Sequence, residues 1–128
     1  MKKIYLTGIL IFGCFEPKMM CDCAQDLNIS IKIKDGVSDS CISGAEIKLN
    51  GLNPTQGRYD SSLCLYPISS GTGAIEFEII KENYDTILTA PFNVLFHESE
   101  CCGKHDSKNI EIKWYKSILG QNPEVILN

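Results

Sequence analysis

Residues Asn28 to Asn50, NISIKIKDGVSDSCISGAEIKLN, decide the fold of this chain. Ile29, Ile31 and Ile33 alternate with Ser30, Lys32 and Lys34. After a turn-rich connection, Ala45, Ile47 and Leu49 alternate with Glu46 and Lys48. A period of two places apolar residues on one face of a half-buried β-strand. Asp35-Gly36 and Ser43-Gly44 between the two runs are turn formers. The stretch therefore predicts two strands and an all-β domain.

The same pattern recurs downstream. Leu63 to Ile68 is apolar and predicts a short or edge strand, because Pro67 lacks an N–H. Ile75, Phe77 and Ile79 are expected to face in, with Glu76 and Glu78 out. A strand is expected over Thr86 to Ala90. Phe92, Val94 and Phe96 then share a face opposite Asn93 and His97. Ile110, Ile112 and Trp114 mark the inward face of a strand over Asn109 to Tyr115. In the tail, Ser117 to Gly120 suggests a helical turn and Val125 to Leu127 an edge strand. No segment shows a long helical period. About seven short strands separated by turn signals predict an antiparallel β-sandwich.

Composition narrows the function classes. The chain has 128 residues, which suits one domain. Its net charge is −4, which argues against nucleic acid as a partner, since that affinity rests on a basic surface. Arg58 is its sole arginine, so bidentate recognition of phosphate is nearly absent. The seven cysteines point to an oxidising compartment or to metal. An odd count requires one cysteine with a separate fate.

The first residues, MKKIYLTGILIFGC, supply that fate. Lys2 and Lys3 form a basic n-region, and Ile4 to Phe12 an apolar h-region of secretory length. As a helix this run rises only about 14 Å, too short for a hydrocarbon core of roughly 30 Å. Ile11-Phe12-Gly13-Cys14 resembles the lipobox of bacterial lipoproteins. The resemblance implies cleavage after Gly13 and acylation of Cys14. The expected organisation is a lipoprotein signal peptide over 1–13, a lipidated tether over 14–26, a β-sandwich over 27–115 and a tail over 116–128. The expected location is the bacterial cell envelope, lipid-anchored, at the outer membrane.

The β pattern resembles the carboxypeptidase regulatory-like, or transthyretin-like, family. Val37, Asp39 and the run Ile42-Ser43-Gly44-Ala45-Glu46-Ile47-Lys48-Leu49 carry the likeness. Gly73-Ala74-Ile75-Glu76-Phe77 and the turn from Lys81 to Tyr84 extend it. The loop from Asn50 to Ile68 departs from the pattern. The resemblance implies a seven-stranded sandwich of prealbumin type without catalysis of its own, acting in binding or assembly. One branch of the family hydrolyses 5-hydroxyisourate with a C-terminal Tyr-Arg-Gly-Ser. This chain ends Val125-Ile126-Leu127-Asn128, so that activity is not expected. The implied partners are membrane lipid, through the anchor, and an envelope protein or glycan. No cofactor is expected.

Six cysteines remain for the folded part: Cys21, Cys23, Cys41, Cys64, Cys101 and Cys102. Disulfides are the expected use, although the sequence does not choose among the possible pairings. A natural arrangement ties Cys21 and Cys23 to Cys101 and Cys102, leaving Cys41 with Cys64. The alternative is a metal site built from His97, Cys101, Cys102 and His105, whose ligand types suit zinc or copper. Their spacing does not match the common zinc modules. His97 also falls on the outward face of its strand, where an exposed histidine without a role is expected. Residue 101 is cysteine where a His-Glu-x-x-His motif needs histidine, no Gly-x-Ser-x-Gly elbow is present, and the carboxylates are scattered. An enzyme is not expected.

Overall fold

The computed structural model describes Cys23 and residues 25–128. The signal segment 1–13, Cys14 and Cys21 lie outside the described residues. The first strand is β1 (Ile29–Asp35), followed by β2 (Glu46–Leu49), β3 (Thr55–Gln56) and β4 (Leu65–Ser69). Next come β5 (Gly73–Ile75), β6 (Phe77–Ile80), β7 (Ile87–Leu88) and β8 (Phe92–Val94). The last four are β9 (Phe96–His97), β10 (Lys104–His105), β11 (Lys108–Trp114) and β12 (Glu124–Leu127). A single 3-10 turn at Ser117–Leu119 is the sole helical element among the described residues. No helix among them is long and apolar enough to cross a membrane.

One sheet has the order β12-β11-β1-β4-β3, and a second the order β2-β6-β7. Two strand pairs, β5-β8 and β9-β10, complete the set. Two side chains bridge the breaks between the second sheet and the β5-β8 pair. At Glu76, Asn50 accepts the Glu76 N–H at 2.8 Å and donates to the Ala74 carbonyl at 3.1 Å. At Phe77, the N–H donates to Thr89 Oγ1 at 2.9 Å, while the Thr89 N–H returns a bond to the Phe77 carbonyl. The interrupted strands thus keep their backbone polar groups satisfied, as buried groups must be.

The core follows the alternation read from the sequence. Ile29, Ile31 and Ile33 of β1, Tyr66 and Ile68 of β4, and Ile110, Ile112 and Trp114 of β11 point inward. Ile47, Ile75, Phe77, Ile79, Ile87 and Val94 meet them from the other strands in one apolar cluster. Burying each such side chain contributes about 1.5–3 kcal/mol. The Trp114 indole N–H is satisfied by the Asp85 carbonyl at 2.9 Å, so the ring is fully buried without an orphaned donor.

Three expectations need correction. The fold is not wholly antiparallel: β1 and β11 run parallel, with Ile31 beside Ile110 and Ile33 beside Ile112. A parallel partner needs a long crossover, and the chain between Gly36 and Ser107 supplies it through all the intervening strands. The number of strands is twelve among the described residues, because the longer runs are broken by loops and bridging side chains. Phe96 is 45% exposed and leaves the inward face expected for it. The Leu95 N–H bonds to the Asp106 carboxylate at 2.9 Å, and there the pairing passes from β5–β8 to β9–β10.

β4 explains how Pro67 is tolerated between two neighbours. Its carbonyl accepts the Gly57 N–H at 2.9 Å. In an antiparallel ladder a residue's N and C=O face the same side. The missing N–H therefore faces the two-residue β3, where little pairing is lost. In the tail, β12 pairs antiparallel with β11, with Ile112 opposite Val125 and Ile110 opposite Leu127.

Candidate functional site

Both histidines and the Cys23–Cys102 bridge lie where four segments meet: the approach to β1, the turn after β4, β9, and the loop through β10. Cys23 is bonded to Cys102, and Cys41 to Cys64. Cys101 is disulfide-bonded as well. The Cys41–Cys64 bridge lies apart, beside β1, where the Ile33 N–H donates to the Cys64 carbonyl. The Cys23–Cys102 bridge closes a sequence separation of 79 and brings the start of the described chain to the Cys101–His105 loop.

That bridge sets Asp26 against His105, since each lies three positions after a bonded cysteine. Asp26 Oδ2 accepts the His105 backbone N–H at 2.6 Å and lies 2.9 Å from its Nδ1. The other ring nitrogen, Nε2, lies 3.0 Å from Thr72 Oγ1. The backbone N–H of His105, then the imidazole, hold the Asp26 carboxyl below its ordinary value. An ionised carboxylate only accepts, so Nδ1 carries a proton. In the neutral ring Nε2 then presents a lone pair, and the Thr72 hydroxyl donates to it. Phe96 stands edge-on to the imidazole, with ring centroids 5.0 Å apart.

A second imidazole, His97, pairs with Asp106 at 2.6 Å. Its side chain is 62% exposed. The His97 contact, then the Leu95 amide, lower the Asp106 carboxyl. Beneath both pairs, Asn28 is buried and joins the segments. Its Nδ2 donates to Ser70 Oγ at 2.8 Å and to the Asp106 carbonyl at 2.9 Å, and its Oδ1 accepts the Ser70 N–H at 3.0 Å. Asn28 therefore fixes the turn carrying Thr72 against the loop carrying His105.

The alternative metal set is not assembled. Cys102 and Cys101 are disulfide sulfurs, and a metal needs thiolates. His97 and His105 are turned to different carboxylates. Among the described residues, no group of three or more His, Cys, Asp and Glu is placed to hold a metal. Conversely, Asp26 and Thr72 carry the arrangement around His105 although their sequence surroundings mark them as tether and turn. The legible signal was the equal spacing of Cys23-x-x-Asp26 and Cys102-x-x-His105.

No family model, no curated protein and no solved structure matches this chain.

Proposed function

We propose that this chain is a lipid-anchored protein of the bacterial envelope whose prealbumin-like β-sandwich serves binding or assembly. The observation that carries the reading is Ile11-Phe12-Gly13-Cys14, behind Lys2-Lys3 and a short apolar run. Disulfides suit an exported chain, and Cys14 is the odd cysteine that lipidation would use. The single apolar cluster shared by the two main sheets supports a sandwich. Joining β5 with β6 and β7 with β8 across their bridged breaks brings the longer runs close to the family's seven. Each buried CH₂ of an acyl chain contributes about 0.8 kcal/mol, so several chains hold a domain firmly at the surface. The partner would be an envelope protein or glycan, met by the loops held at the Cys23–Cys102 bridge. The test is Cys14→Ala in the full chain. Accumulation of uncut precursor and loss of the acylated form are expected. Unchanged processing and membrane association would overturn the reading.

A further inference from the structure

We propose that the Thr72 hydroxyl is an imidazole-activated nucleophile that accepts acyl groups from esters, with His105 as its general base and Asp26 orienting the imidazole. The proposal goes beyond a binding role, runs against the expectation of no catalysis, and does not rest on the lipid anchor.

Three observations converge on it. The Asp26, His105 and Thr72 side chains form an unbroken chain from carboxylate through imidazole to hydroxyl, at 2.9 and 3.0 Å. A nucleophile bonded to a base, itself oriented by a third group, is the arrangement that activates a hydroxyl. The arrangement is also held from behind. The Cys23–Cys102 bridge fixes the segments of Asp26 and His105, and Asn28 fixes the turn of Thr72. Finally, the polarity is productive, since the imidazole is largely covered while Thr72 is exposed. Gly71 and Gly73, with φ of 76° and 111°, let the turn present Thr72 outward. The Thr72 amide has no hydrogen-bond partner among the described residues.

In the step, the Thr72 Oγ1 proton passes to His105 Nε2 as the Oγ1–carbon bond forms. The ester C–O bond then breaks, and the departing alkoxide takes the proton from the imidazolium. Water, deprotonated by the same imidazole, attacks the acyl-threonine. It releases the carboxylic acid and restores the hydroxyl. No oxidant, reductant or metal enters the balance.

The probe is p-nitrophenyl acetate, added to full chain purified without reductant. Release of p-nitrophenol and peptide mass spectrometry read the reaction. One acetyl group on Thr72 is expected. Thr72→Val, isosteric at an exposed site, removes the label, and Thr72→Ser keeps it. His105→Gln slows acetylation by roughly a hundred-fold or more, the share a positioned base supplies. Acetylation confined to lysines, or a rate unchanged in Thr72→Val or His105→Gln, would overturn the proposal.

Discussion

Replacing both Cys41 and Cys64 by alanine removes a bridge that spans 23 positions. Opening a closed loop of that length returns roughly 3–3.5 kcal/mol of chain entropy to the unfolded state. The folded side loses less. Cys64 is buried and Cys41 exposed, so one buried sulfur is lost, worth about 1 kcal/mol with the small void it leaves. The backbone around the bridge is held independently, since the Ile33 N–H donates to Cys64 and the Ile33 carbonyl accepts the Ile42 N–H. The double variant should therefore fold and be about 3–5 kcal/mol less stable. Trp114 is the sole tryptophan and fully buried, so its fluorescence follows denaturant unfolding directly. The slope of free energy against denaturant should rise, because the unlinked chain exposes more surface on unfolding. A loss below about 1 kcal/mol with an unchanged slope would refute the reasoning.

Asn28→Ala leaves Ser70 and the Asp106 carbonyl without their partner; a loss of about 2–3 kcal/mol is expected in the same denaturant assay. Gly36→Ala drives a Cβ into the ring of Tyr115, itself mostly buried, and should cost about 1–3 kcal/mol by overpacking, read as a lowered Tm. Tyr84→Phe removes a 2.8 Å bond to Asp35, with about 1–2 kcal/mol lost at neutral pH. Asp35 is held at about 2, against 3.8, by the Ser38 amide first and then by Tyr84. Its folded value is depressed, so its contribution is present above 3.8 and is lost as pH falls towards about 2. The gap between wild type and Tyr84→Phe should therefore narrow over that interval in acid titrations of stability.

The strands with one buried face were legible in the sequence. β1, β2, β6 and β11 each carry apolar residues at every second position, and burial follows that period in β1, β6 and β11. Their neighbours were not legible. A period of two says which face a strand buries, not which strand lies beside it, so the parallel β1–β11 pair is not legible in it. Alternation places Phe96 inward only when carried across Leu95, where a bond to Asp106 ends it. Around the candidate site, His105 stood out by residue type. Asp26 and Thr72 did not, since their roles come from contacts 79 and 33 positions away.

The anchored, disulfide-stapled reading meets its most direct test in the intact mass of the full chain extracted in detergent, before and after reduction. The expected result is a chain beginning at Cys14 that carries acyl groups, and that gains two hydrogens for each disulfide opened. A chain beginning at Met1 without acyl groups, or a mass unchanged by reductant, would contradict it.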